Sequence, residues 1–322
     1  MNPDSDADPR DNQIWEDFLM ATTYSSVPIG VFTKTLKDVF VNEAKKATNY
    51  IDKLYNVERT NLIQNKYQGF AGLGVAEQWT GEETISYSTI ETRYETTVTQ
   101  IFFRKGVKYS WKMKKYEQYG LMKDMVTSLA RAMAQTKQTY AVNFFNEQLS
   151  GDDATYYWNT TAGKYMFSDT HALASGSTYD NLISGALSVT TLQSAIATLF
   201  KTPDDQGNVM GIKPVRLWVA PDGYANAIEV VNSGVGLRSD TAENTKNYFD
   251  RYGIEVEQCE YLTDTDGWFL QGDYNMAICE ISADLEQSQW VDNDDKGTIH
   301  DAIFALQVGA KDWRGWVGSR GA

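Results

Sequence analysis

LMKDMVTSLARAMAQTKQTYAVNFFNEQL, residues Leu121–Leu149, is the longest stretch of this 322-residue chain that reads as a single helix. It contains neither Gly nor Pro. Its apolar residues Met122, Val126, Leu129, Met133, Tyr140 and Phe144 recur at helical spacing, with one gap at Thr136–Lys137. Gly120 precedes it and Ser150-Gly151 supplies a C-terminal stop. At 1.5 Å per residue it spans roughly 40 Å. A helix of that length serves as a spine for other elements rather than as the wall of a catalytic pocket.

Upstream lies a segment of different character, Gly69–Gln100, GFAGLGVAEQWTGEETISYSTIETRYETTVTQ. Glycines crowd its start. Ile85, Tyr87 and Thr89 then alternate with Thr84, Ser86 and Ser88 in a run poor in large aliphatics. A hairpin this polar buries little by itself, so it is expected to project and lie on another copy of the same protein. Packing on its own domain is the alternative. Ile101–Lys115 alternates Val107, Tyr109, Trp111 and Met113 with Lys108, Ser110, Lys112 and Lys114, which predicts a half-buried strand with a lysine-lined outer face.

Residues 1–12 read as a flexible acidic arm and Gln13–Ala21 as a short amphipathic helix. Thr33–Lys53 is expected to be helical, with Leu36, Phe40, Ala44 and Ala47 inward and Lys34, Lys37, Lys45 and Lys46 on a solvated face. Residues 151–185 form a loop-rich connection. Helices are predicted at Val189–Thr202, capped by Ser188, and at Gly223–Asn232, with a turn at Thr202–Asn208. Strands are predicted at Val215–Ala220, Ile254–Tyr261, Trp268–Gln271 and Met276–Ile281, and again where Phe304, Leu306 and Val308 alternate. The pattern is α+β, without internal repeats or a regular βαβ wind.

Composition narrows the function classes. No run of about 18 apolar residues exists, so a membrane span is not expected. The polar, Met-initiated N-terminus carries no signal-peptide core, so no cleaved leader is expected. The net charge of −14 sits wholly in residues 151–322, while residues 1–150 hold 18 cations and 18 anions. Such a half repels phosphate, so a DNA partner would be contained rather than gripped. Cys259 and Cys279 lie in β-rich sequence without metal-ligand spacing; buried reduced thiols are favoured over a strand-to-strand disulfide.

No catalytic, cofactor or metal site emerges. Ser168-Asp169-Thr170-His171 contains the residue types of a triad, but adjacency is not triad geometry, and no GxSxG elbow exists. His171 reads instead as a loop histidine capping backbone groups. Asp264-Thr265-Asp266-Gly267 and Asp292-Asn293-Asp294-Asp295 lack the Gly and Glu of an EF-hand and read as turns. Gly69, Gly72 and Gly74 are followed by no Lys-Ser/Thr pair, so they form no phosphate loop. Glu82 and Glu83, exposed on the hairpin, look like partners for Arg or Lys of another subunit. Trp79, Tyr87, Arg93 and Tyr94 join them as expected inter-subunit contacts.

AVNFFNEQL (Ala141–Leu149), FSDTHAL (Phe167–Leu173), YDNLISGALSVTTLQSAIATLF (Tyr179–Phe200), GIKPVRLWVAPD (Gly211–Asp222) and YLTDTDGWFL (Tyr261–Leu270) follow one another in an order that resembles a known family. The chain resembles tailed-bacteriophage major capsid proteins of the Hong Kong 97 fold, in particular the Mu-like major head subunit group, from about residue 60 to the end. The resemblance implies an N-terminal arm and helix over 1–55 and an extended loop with its base strands over 56–115. It implies a peripheral domain over 116–184 with spine helix 121–149, an axial domain over 185–285, and a return to the peripheral domain over 286–322. The spine's polar face, with Lys123, Arg131, Lys137 and Gln138, would look toward the shell surface or a neighbour.

The implied function is structural: self-assembly through hexamers and pentamers into an icosahedral virion shell around double-stranded DNA, in the host cytoplasm, without sequence-specific DNA binding. Separate scaffolding, portal and decoration proteins are the implied partners, since the long N-terminal scaffolding segment of some relatives is missing. Some relatives also weld their shells through an extended-loop lysine. Gly69–Gln100 has none, and Lys66 and Lys105 lie only at its base, so no such crosslink is expected. The rival readings are a nanocompartment of the same fold enclosing cargo enzymes, and a soluble enzyme or binding module with a pocket in residues 185–285.

Overall fold

Tyr119–Ser150 forms one unbroken helix of 32 residues, about 48 Å long at the usual rise. It begins two residues before the periodic stretch and absorbs Gly120 into its first turn. The computed structural model describes residues 29–70, 75, 76, 78, 79, 81, 92–116, 119–151, 165–232 and 248–321. The arm at 1–12, the helix expected at Gln13–Ala21, and the alternation at Ile85, Tyr87 and Thr89 lie outside them.

Before the spine come helices Ile29–Ala44 and Ile51–Leu54, then β1 (Asn56–Arg59), β2 (Gln64–Phe70), β3 (Thr92–Thr99), β4 (Ile101–Tyr109) and a helical turn, Trp111–Lys115. After it come β5 (His171–Ala172), β6 (Thr178–Tyr179), β7 (Leu182–Ile183), helix Val189–Lys201, β8 (Pro214–Val219) and helix Tyr224–Asn232. The chain closes with β9 (Glu255–Gln258), β10 (Trp268–Gly272), β11 (Ala277–Val291), β12 (Thr298–Ala310) and β13 (Trp316–Ser319).

Two expected element boundaries need correction. The helix expected over Thr33–Lys53 is two helices. Asn49 Oδ1 accepts the Ile51 N–H at 3.2 Å and Asn49 Nδ2 donates to Asp52, so a local Asn turn starts a new helix after Ala47. The strand expected to run to Lys115 stops at Tyr109, because Ser110 Oγ accepts the Met113 N–H at 3.3 Å and caps a helical turn. Period-two alternation persists through Trp111 and Met113, but the cap overrides it.

The chain divides into two compact units. The first comprises Met1–Ala47, Phe103–Thr136 and Leu285–Phe304. In it Leu36 and Phe40 of the first helix are buried, as are Met122, Val126, Leu129 and Met133 of the spine. Phe103 stacks on Phe304 at 5.0 Å, and Arg131 pairs with Glu43 at 2.6 Å. Gly106 lets β4 close on β12, since a Cβ there would stand 3.1 Å from Asp301 Cβ and 3.3 Å from the His300 carbonyl oxygen. Buried His300 packs near Phe40 and shares a 3.0 Å hydrogen bond with Gln287. Lys108 clamps the β11–β12 turn through Asp292 (2.6 Å) and Asp295 (2.8 Å).

The second unit comprises Thr48–Phe102, Lys137–Asp284 and Ala305–Ala322. Its five-stranded sheet has the order β7-β13-β10-β8-β9. β10 runs antiparallel to β8 and β13, while β9 and β7 run parallel to their neighbours. Ser188 and Thr191 form a reciprocal capping box on helix Val189–Lys201. That helix and Tyr224–Asn232 bury Leu192, Ile196, Leu199, Ala227 and Val230 with Leu217, Val219 and Leu270 of the sheet. An aromatic core joins the later spine to the same sheet: Phe145 stacks on Phe269 at 4.9 Å and meets Trp316 at 4.8 Å. Gln138, expected on the outward face of the spine, is buried and accepts the Tyr50 N–H at 3.0 Å. Lys137 and Arg131 are likewise engaged within the subunit, by Asp284 and Glu43.

Buried Asn181 ties the strands together. Its Nδ2 donates to the Met166 and Trp316 carbonyls, each at 2.9 Å, and its Oδ1 accepts from Ser168 N–H and pairs with His171 Nε2. Gly318 allows β13 to lie against Phe167, where a Cβ would come within 2.7 Å of the ring. Asn181→Ala should therefore cost about 3 kcal/mol or more, by leaving buried polar groups unpaired; urea unfolding checks this. Cys259 and Cys279 are both free and buried, and burial pushes each thiol up to about 12. Native protein should leave both unreacted toward a thiol reagent at pH 8, and denatured protein should release two. Burial holds His300 below its ordinary 6.5, against the pull of Asp301 and with the help of Lys37. Its stabilisation is complete above about pH 6.5 and is lost as pH falls through the depressed folded value. Thermal melts of His300→Gln should lack that part of the acid destabilisation.

Candidate assembly surface

The hairpin stem is an antiparallel pair with Gln64 opposite Thr99, Tyr67 opposite Thr96 and Gln68 opposite Glu95, followed by a register shift to Phe70 opposite Thr92. Along β2, Gln64, Lys66 and Gln68 are exposed and only Asn65, Tyr67 and Gly69 are half-buried. On the facing strand Val98 is buried between exposed Thr97 and Thr99. Among the described side chains the stem's apolar anchorage is Val98 on Ile278, with Tyr67 against them.

Polar bonds supply the rest. The Tyr67 hydroxyl sits between two carboxylates, hydrogen-bonded to Glu280 and, at 2.9 Å, to Glu58. Burial and then these two acids hold the phenol far above its ordinary value of 10, so it remains a donor. Lys311 Nζ lies 2.5 Å from Glu58 and 4.2 Å over the Tyr67 ring, adding a cation–π contact. Gln100 Nε2 donates to the fully buried Glu280 at 3.0 Å, and the Gln100 N–H bonds the Ile63 carbonyl at 2.9 Å. Beyond this base, Leu62 and Ile63 are 59% and 67% exposed, and Val75 and Trp79 73% and 65%. Four large apolar side chains thus face solvent on and beside the hairpin.

Of the contact residues expected from sequence, Trp79 is exposed. Arg93 and Tyr94 fall in β3 opposite the register shift. Glu82, Glu83 and Tyr87 lie outside the described residues. Leu62, Ile63 and the Glu58–Tyr67–Glu280–Lys311 set were not anticipated. Tyr67 alone offered a signal, as the one large side chain on the inward period of an otherwise polar strand.

The features resembling catalytic or metal chemistry have structural roles. His171 is buried in β5, stacked on Trp313 at 4.1 Å and tied to Asn181, rather than capping a loop. Ser168 Oγ instead accepts the Thr170 N–H. Asp264 and Asp292 accept the backbone N–H groups two residues on, as Asx turns do. Among the described residues no group of three or more His, Cys, Asp or Glu is placed to hold a metal, and no helix is long and apolar enough to cross a membrane. A recess of about 60 Å³ lined by Leu187, Asn226, Asp266 and Trp268 has room for little more than water.

Comparison with known proteins agrees with this architecture. A family described as phage capsid protein matches residues 93–319. No curated protein sequence matches the chain. Among solved structures, the virus-like particle from Pyrococcus furiosus aligns with a TM-score of 0.54 at 10% identity, covering 89% of this chain and 98% of that one. The capsid of an empty GTA particle aligns with a TM-score of 0.54 at 10% identity, covering 96% and 98%. The capsid of cyanophage P-SCSP1u gives a TM-score of 0.52 at 12% identity, covering 95% and 94%. At such identities the likeness establishes the fold, which is α+β and Hong Kong 97-like. The family match over residues 93–319 spans most of the chain. The chain therefore belongs to the phage capsid protein family, as a structural, non-enzymatic protein of a self-assembling virion shell.

Proposed function

We propose that the subunit builds an icosahedral shell of hexamers and pentamers around double-stranded DNA, using its hairpin as the principal reach to neighbours. The observation that carries this is the hairpin itself: fixed at its base by Tyr67, Val98 and Gln100, with exposed Val75 and Trp79 beyond. In a closed shell each copy engages several neighbours, so many modest contacts suffice. In this reading residues 1–55 are the arm and its helix, 56–115 the extended loop and base strands, and 116–184 the peripheral domain. Residues 185–285 are the axial domain and 286–322 the return. Trp79, Glu82, Glu83, Tyr87, Arg93 and Tyr94 make the inter-subunit contacts.

The acidic C-terminal half suits a container that must release its DNA. The segment order favours the Mu-like head group. Assembly in the host cytoplasm with separate scaffolding, portal and decoration proteins completes the proposal. A nanocompartment is the second reading, favoured by the likeness to the Pyrococcus furiosus particle. Nucleic acid extracted from purified particles, against a stoichiometric cargo protein band, separates the two.

Deleting Gly72–Glu95 tests the hairpin's role. The remaining stem would keep Gln64–Tyr67 paired with Thr96–Thr99 across a short loop, so the subunit should stay folded. It should remain as small oligomers in size-exclusion chromatography and electron microscopy. Normal particles from this variant would overturn the projecting-loop role.

A further inference from the structure

The segment that follows the hairpin carries charge that its own surroundings leave unbalanced. Between Phe102 and Tyr116 the chain holds Arg104, Lys105, Lys108, Lys112, Lys114 and Lys115, and no acid. Arg104 is matched by Asp301 at 2.6 Å, and Lys108 by Asp292 and Asp295. Lys105, Lys112 and Lys115 are exposed and Lys114 is half-buried, and none of the four pairs with an acid among the described residues. Trp111 and Tyr116 bracket the helical turn and are 49% and 72% exposed. Trp111 and Lys115 stand four residues apart and so share one side of that turn. The result is a solvent-accessible cationic segment with two exposed aromatic rings, in a chain whose net charge is −14.

Its complement occurs in the same sequence. Residues 71–91 hold Glu77, Glu82, Glu83 and Glu91 with no Lys or Arg, and Val75 and Trp79 there are exposed. One segment offers carboxylates and an indole without cations; the other offers ammonium groups and aromatic rings without acids. Pairing them would bring carboxylates to ammonium groups and apolar rings to apolar rings, and opposite charge would steer the approach.

We propose that the Lys105–Tyr116 face receives the acidic part of the hairpin, residues 71–91, from a second copy of the chain. This rests on the shell reading and names the surface on which the hairpin lands.

The test reverses each side separately and then together. Lys105→Glu/Lys112→Glu/Lys115→Glu should leave the soluble subunit's melting temperature within about 2 °C, because the changes are exposed, while particle yield falls about tenfold or more. Glu77→Lys/Glu82→Lys/Glu83→Lys should do the same. The chain carrying both sets should recover particles visible by electron microscopy. Normal particles from the lysine-reversed chain would overturn the proposal. So would normal assembly with diminished DNA content, which would assign this face to nucleic acid. Failure of the combined chain, with recovery only on reversing acids within residues 1–28, would hand the face to the N-terminal arm and also overturn it. Absence of particles from the unaltered chain would instead overturn the shell reading itself.

Discussion

The structure depends on how one long helix distributes its apolar side chains. At about 100° per residue, Met122, Val126, Leu129 and Met133 line one stripe, whereas Ala141, Phe145, Gln148 and Leu149 line another, roughly a third of a turn away. All eight are buried. The stripe shifts at Thr136–Lys137, where the boundary between the two compact units also passes. Averaged over its whole length the helix is weakly amphipathic. Each unit takes part of its core from this one element.

That shift also explains what the sequence could and could not disclose. The first stripe was legible because four apolar residues repeat without interruption. Gln138 was misassigned to the outward face because a polar side chain past the gap looks solvated unless its partner is known, and that partner is the backbone N–H of Tyr50, 88 positions away. Local chemistry was similarly decisive at Ser110 and Asn49, where a single hydroxyl or amide redirected the chain against a longer-range pattern. Ser188, the Asp204 turn and the VRLWVA strand were read correctly because their determinants lie within a few residues. Strands β11 and β12 extend well beyond the alternation seen in them.

The hairpin shows the opposite balance. Its polar composition predicts little apolar burial, and among the described side chains of its two strands only Val98 is buried. Its anchorage did not follow, because Glu58, Tyr67, Glu280 and Lys311 meet only in three dimensions. Opposing carboxylates around a single phenol, balanced by one ammonium group, give a joint defined by direction rather than by bulk. Such a joint fixes where the hairpin starts.

The position of β13 in its sheet has a consequence for the order of events during synthesis. Residues Trp316–Ser319 lie between β7 and β10, and Asn181 reaches across to the Trp316 carbonyl. Until those residues emerge from the ribosome, β7 and β10 each have an open edge and Asn181 is left incompletely bonded. The nascent chain can form its helices early but cannot close this sheet until Trp316–Ser319 have emerged, because β13 pairs with β7 from more than a hundred residues away. A chain interrupted before Trp316 would expose two raw strand edges, a form suited to proteolysis or aggregation rather than to a place in a shell.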